Sequence, residues 1–285
     1  MLKNIIVVAL IVVLVAAVGS VQRSRKAEAL AKDLTQADEY QAYKAMKKLA
    51  ALGPGAMGKV APLLSSADAP VRARAAAVIA ETAAPGYGPA LVELLQDADP
   101  GVRQAAAGAL GAGGYKAGVA PLTVLLADVK EPVEVRMAAA RSLARLAAPE
   151  ALDALTAVLE TPETKANAQL RQTVTIALGA LAEPPAVTTL TQHVDAAREP
   201  DVQVRALAAQ SLAFAAKAGP EATQQAGEAL LAALNDKESD VRIAAVHSLT
   251  QMRFSGSLNG QVEEALKTAQ NDPHYWVRAA VSDSR

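Results

Sequence analysis

The sequence predicts an all-α fold: a solenoid of about seven stacked helical hairpins, closed by a half-hairpin and preceded by one apolar helix. Three observations carry that expectation. A hydrophobic-Arg step returns seven times, at Val71-Arg72, Val102-Arg103, Val135-Arg136, Leu170-Arg171, Val204-Arg205, Val241-Arg242 and Val277-Arg278. The arginine-to-arginine spacings are 31, 33, 35, 34, 37 and 36 residues, a period that belongs to stacked helical units rather than to one globular core. Residues four and eight positions after each of the first six steps are again apolar, as in Val71/Ala75/Ile79, Val102/Ala106/Leu110 and Val241/Ala245/Leu249, whereas position eight after Val277 is Arg285. That spacing places them on one face of a helix. Finally, 52% of residues are hydrophobic and only 3% aromatic. Alanine and leucine must therefore fill the interior, which suits units that need only cover their neighbours.

In chain order, the first element is an apolar run of fourteen residues, Ile5 to Val18, which Gly19-Ser20-Val21 extends to seventeen. It falls at the lower edge of a membrane-spanning helix and the upper edge of a secretory signal. Ala17-Val18-Gly19 offers a small-x-small cleavage site, but Arg23, Arg25 and Lys26 follow at once, so a retained anchor fits better. Residues 1–21 are therefore expected as a single-pass anchor, 22–35 as a charged helical spacer, and 36–285 as the repeats. Lys3 on one side against Arg23, Arg25, Lys26 and Lys32 on the other tips the repeats toward the cytoplasmic side. A periplasmic or exported domain is the alternative.

Each repeat reads as helix, turn, helix. Pro70, Pro100, Pro132, Pro200 and Pro273 stand just ahead of the first helices, where a missing N–H costs nothing. Asp68, Asp99, Glu131, Asp201, Asp240 and Asp272 stand beside them, placed to cap free backbone N–H groups. The position seven residues after each step is small (Val78, Ala109, Ser142, Ala177, Ser211, Ser248), which lets helices approach closely. Gly53-Pro54-Gly55, Pro85-Gly86, Gly111 to Gly114, Pro184-Pro185 and Gly219-Pro220 mark the bends inside hairpins. Second helices carry Leu63-Leu64, Leu94-Leu95, Leu125-Leu126, Val158-Leu159 and Leu230-Leu231.

The repeated Asp-x-x-Val-Arg-x-x-Ala pattern, followed by a leucine, resembles HEAT-type repeats, and specifically the short bacterial HEAT-like class that includes the phycobilin lyase subunits. The resemblance covers roughly residues 36–285. It implies a right-handed α-solenoid, and it implies little about activity, since one fold hosts unrelated functions.

Several residue groups invite a chemical reading. The arginines resemble a ladder for phosphate, yet Asp68–Arg72, Asp99–Arg103 and Asp201–Arg205 are spaced to pair locally. Asp68, Arg72, Asp99, Arg103, Arg136, Arg171, Asp201, Arg205, Arg242 and Arg278 are thus expected as structural junction residues. With 28 basic against 29 acidic residues, the chain lacks the clustered basic surplus of a nucleic-acid binder. His193, His247 and His274 lie on different units, none followed by Glu. They assemble no metal or catalytic grouping, and the absence of cysteine removes thiolate chemistry and disulfides. No cofactor, metal or catalytic residue is expected.

Acidic residues crowd the second helices, among them Glu93, Asp97, Glu150, Asp153 and Glu228, with few cations. They read either as a solvated face or as an acidic groove for a basic segment of a partner. Tyr275 and Trp276 open the last half-repeat, where they either cap the solenoid or anchor a partner. The expected function is a non-catalytic, membrane-tethered scaffold that binds a protein. The alternatives are a phycobilin-lyase-like subunit handling a tetrapyrrole, as the resemblance implies, and an exported binding module.

Overall fold

Alanine and straight-chain residues dominate the periodic segments and lose little freedom in a helix, so the expected stripes close into helices throughout. The computed structural model describes residues 2–36 and 38–283, with side chains from residue 13 onward. Among the described residues every regular element is helical. The chain divides into two compact units, residues 1–121 and 122–285.

The first unit holds α1 (Leu2–Asp33), α2 (Glu39–Ala51), the single turn α3 (Met57–Val60), α4 (Ala69–Thr82), α5 (Gly88–Glu93) and α6 (Pro100–Ala112). Helix α7 (Val119–Ala127) follows across the division. The second unit contains α8 (Val133–Arg145), α9 (Leu152–Glu160), the short α10 (Pro162–Lys165), α11 (Ala168–Leu181) and α12 (Pro184–Val194). It continues with α13 (Val202–Ala215), α14 (Pro220–Ala233), α15 (Ser239–Gln251), α16 (Gly256–Ala269) and α17 (Tyr275–Ser282). In chain order the helices from α2 run as seven short-loop pairs, with the single-turn α10 inserted between the fourth and fifth, after which α17 stands without a following helix among the described residues.

The core is the stripe that the sequence marks. Val71, Ala75 and Ile79 on α4, Leu170, Val174 and Leu178 on α11, and Val241, Ala245 and Leu249 on α15 are all buried. Each fully buried Val, Leu or Ile contributes about 1.5–3 kcal/mol. First helices pack on first helices, α2 on α4 on α6 in one unit, and α8 on α11 on α13 on α15 on α17 in the other. The small position seven makes this possible: Ser211 and Ser248 are buried, and Ser248 Oγ donates to the Ala209 carbonyl at 2.9 Å. At Gly179 the helices approach closely, since an added Cβ would lie 2.6 Å from Ser211 Cβ.

Bends follow the glycine and proline signals. Position eleven after the arginine is left-handed in four repeats, at Ala83, Gly114, Ala147 and Ala182. Only Gly114 adopts that conformation without Cβ strain. Asp99, Asn167 and Asp201 cap α6, α11 and α13 by accepting the amides of Val102, Leu170 and Val204.

The N-terminal expectations need correction. The side chains of residues up to Val12, and so most of the apolar run, lie outside the described residues, as does Arg285 at the last stripe. Among the described residues no helix is long and apolar enough to cross a membrane, which overturns the single-pass cell-membrane placement. The run itself is shorter than the roughly 20 residues that a bilayer core requires. It continues unbroken in α1 through Arg23, Arg25 and Lys26 to Asp33, so no break separates an anchor from a spacer. Residues 22–35 do not stand off as a spacer either. Ala27, Leu30, Ala31 and Leu34 are buried where α1 packs on α2 and α3.

Candidate functional site

The arginine of each repeat sits at the start of a first helix, where the loop before it doubles back. Except at Arg136, its Nη1 donates to two carbonyls of that loop. Arg72 donates to Ser66 and Ala67 at 2.7 and 3.2 Å, and Arg103 to Asp97 and Ala98 at 2.8 and 3.2 Å. Arg205 and Arg242 repeat the geometry on Glu199/Pro200 and Asp236/Lys237.

The other edge of the guanidinium takes a carboxylate, though not the expected one. Arg72 binds Asp97 rather than Asp68, with Nε and Nη2 each 2.7 Å from a carboxylate oxygen. Arg205 binds Asp236 rather than Asp201, at 2.8 and 3.1 Å. Arg242 grips Asp272 at 2.8 and 2.9 Å. The partners lie 25 to 31 residues apart in the chain, so each arginine reaches into the next repeat's loop. Bidentate forks of this kind are among the stronger ion pairs.

Each gripped aspartate also accepts the amide two residues on, from Asp99, Glu238 and His274 respectively. The Arg72 bond, and then that amide, hold the Asp97 carboxyl below its usual range against burial. Arg242 does the same for Asp272. At Asp236 burial pushes upward most strongly, yet Arg205 and the Glu238 amide prevail and the carboxyl is again lowered. Asp97, expected on a partner-binding face, is therefore a joint. Asp68 stands exposed and makes no side-chain cap bond to α4.

Two junctions of the second unit depart from this scheme. Arg136 is buried and donates Nε to the Leu126 carbonyl at 2.9 Å, while its Nη2 has no hydrogen-bond partner. Burial pushes its guanidinium down from the ordinary value. Arg171 meets Glu199, longer than the aspartate of other repeats, with Nε 3.3 Å from Oε2. The same oxygen lies 3.5 Å from Nδ1 of His193, and His193 Nε2 is 3.9 Å from Glu160. Burial pushes Glu199 up; His193, the Asp201 amide and Arg171 outweigh it and lower the carboxyl. A pocket of about 380 Å³ opens here, lined by Glu160, Lys165, Arg171, Gln192, His193, Arg198 and Glu199. Buried acid, imidazole and guanidinium crowd together with Arg171 Nε and His193 Nδ1 left without a hydrogen bond, while Glu160 and Lys165 pair at the exposed rim at 2.7 Å.

The remaining expected site residues are exposed. Glu93 ends α5, Glu150 and Asp153 open the α9 segment, and Glu228 lies on α14, held by Gln224 at 2.6 Å. Tyr275 and Trp276 stand 62% exposed, their rings edge to face at 5.0 Å. The sequence reading missed Glu199, Asp236 and the pairing role of Asp272. A signal was present: Asp97, Glu199, Asp236 and Asp272 each stand six residues before the next arginine.

Stacked hairpins joined by an arginine–aspartate ladder define a helical-repeat protein. The sequence matches HEAT repeats over residues 59–134, 119–213 and 193–284, and the chain belongs to the HEAT-repeat family. No curated protein matches it. Among solved structures it is similar to an engineered protein at 23% identity and a TM-score of 0.56, covering 91% of this chain and 77% of that one. It is also similar to the CpcE–CpcF complex of phycocyanin lyase from Nostoc sp. PCC7120, at 22% identity and a TM-score of 0.51, covering 80% of this chain and 94% of that one. The karyopherin Kap121p bound to the extreme C-terminus of the protein phosphatase Cdc14p matches at 16% identity and a TM-score of 0.59, over 92% of this chain and 33% of that one. These likenesses establish the fold.

Proposed function

We propose that the chain is a scaffold that binds a protein partner on its exposed helical surface and carries out no chemistry of its own. The observation that carries this reading is the ladder: Arg72, Arg205 and Arg242 and the aspartates they grip are consumed in joints, while acids between the joints point outward. Glu93, Glu150 and Asp153 are exposed and have no ion pair among the described residues. Unpaired exposed carboxylates attract a basic segment and are screened by salt. The karyopherin of similar fold, which is bound to the extreme C-terminus of a protein phosphatase, supports this use of the fold.

The test is a pull-down from the native source at rising ionic strength, with a Glu150→Lys/Asp153→Lys chain beside the wild type. Capture of the partner should fall steeply with salt and fall again in the charge-reversed chain. Salt-insensitive capture that ignores both substitutions would sink the acidic-surface reading. A second reading, a subunit handling a tetrapyrrole, draws on the phycocyanin lyase likeness. Titration with a bilin, followed by absorbance, checks it, and an unchanged spectrum rejects it.

A further inference from the structure

At Arg171 the ladder opens into a cavity instead of closing. Its acid, Glu199, is one methylene longer than the aspartates gripped by Arg72, Arg205 and Arg242, and the short helix α10 lengthens the loop ahead of Arg171. Arg171 Nε stops 3.3 Å from Glu199 Oε2 without a hydrogen bond. His193 Nδ1, 3.5 Å from the same oxygen, also lacks one. Arg171 and His193 are only 7% and 9% exposed, and both line the cavity of about 380 Å³. The interior of this joint thus holds two deeply buried polar atoms that the fold itself leaves unsatisfied, a costly arrangement for a purely structural contact.

Charge on the cavity wall leans one way. Lys165, Arg171 and Arg198 line it against Glu160 and Glu199, while Asp201, 3.8 Å from Arg171 Nη2, is not part of the lining. At the rim Lys165 pairs with Glu160 at 2.7 Å. Arg198 is exposed, and its side chain makes no ion pair or hydrogen bond among the described residues. The Lys165 bond, and behind it the charges of Lys165, His193 and Arg198, hold the Glu160 carboxyl below its usual range against burial. The field of Arg198 therefore reaches the mouth without being consumed there. The volume lies in the range of small-molecule pockets, and a free guanidinium is suited to carboxylate and phosphate.

We propose that this cavity binds a small organic anion, a phosphate ester or a polycarboxylate, held by Arg198 and Lys165 at the mouth with Arg171 and His193 at the floor. The site is separate from the acidic helical surface and does not depend on the scaffold reading. It carries a sign that a structural joint would not have: Glu160 competes with the ligand for Lys165, so removing its charge favours binding, whereas removing that of Arg198 opposes it.

The full chain is titrated in a calorimeter with glycerol 3-phosphate and with citrate, against sodium chloride at matched ionic strength. Saturable binding of at least one is expected, and the arm that binds tells phosphate from carboxylate. Arg198→Gln should weaken it about tenfold, and Glu160→Gln should tighten it severalfold. Both side chains are exposed, so the variants should unfold as the wild type does. The ring resonances of His193, assigned with His193→Gln, should move with the same midpoint as the heat. No saturable heat up to about 10 mM ligand overturns the proposal, as does binding that ignores both rim substitutions. Weaker binding in Glu160→Gln, or His193 resonances that stay fixed under saturating ligand, overturns it as well.

Discussion

Arg205 and Arg136 occupy the same register position in the same unit and are equally hidden, at 1% and 2% exposure. Arg205 closes on Asp236 through two hydrogen bonds, whereas Arg136 reaches one carbonyl and leaves Nη2 unpartnered. Equal depth at one register position therefore does not ensure pairing, and the following loop decides whether the arginine is satisfied. Six residues before Arg242 stands Asp236, but six before Arg171 stands Lys165, in a loop lengthened by α10. The ladder thus breaks where the loop departs from the repeat, and the irregular joint at Arg171, Glu199 and His193 follows directly after.

The sharpest way to break this contrast is to remove the carboxylate from a closed rung. Asp236→Ala strands a guanidinium in the interior, and losing one partner of a buried pair costs about 3–5 kcal/mol. Denaturant unfolding should show a loss of that size. The double change Asp236→Leu/Arg205→Met should recover most of it, because apolar side chains of similar volume leave no charge behind. A loss below about 1 kcal/mol for Asp236→Ala would place the rung with ordinary surface pairs.

Acid acts on all the rungs together and more gradually. Asp97, Asp236, Asp272 and Glu199 are each held below their ordinary range in the folded chain. Groups with lowered folded values add stability that is complete above the unfolded values, about pH 4, and is lost as pH falls through the folded ones. Stability measured from pH 6 downward should hold nearly flat to about 4.5 and then decline. Asp272→Asn should flatten part of that decline, and an unchanged acid limb would show that this carboxylate is not lowered.

The closed rungs also show what a sequence reveals. The stripe of Val204, Ala208 and Leu212, the turn prolines and the period were all legible, because helical burial leaves its mark within eight residues. The acid partners were not, because Asp201 stands four residues from Arg205 and looks like its natural mate, yet it caps Val204 instead. The true partner lies 31 residues away, close only after the hairpin folds back. His193 was beyond reach for a different reason: it meets Glu160 and Glu199 only once α12 packs beside α9. The length of the apolar N-terminal run was legible, whereas the packing of Ala27 through Leu34 on α2 was hidden beneath its charge.

Arg136 supplies the smallest effect and the cleanest discrimination between register and pairing. Arg136→Met removes a guanidinium whose Nη2 is buried and unpartnered, a defect worth about 1–3 kcal/mol against the fold. It also removes the bond to the Leu126 carbonyl, worth about 1 kcal/mol, and keeps most of the buried stem volume with a flexible side chain. Losing that bond also leaves the Leu126 carbonyl without its donor, a cost of the same size as the defect removed, so stability should change by less than about 1 kcal/mol in either direction. The same substitution at Arg205 would leave Asp236 buried without its fork and should cost several kcal/mol, roughly as in Asp236→Ala. If both arginines prove equally sensitive, then the aliphatic stem at this position, common to the two, stabilises the repeat and the carboxylate adds little.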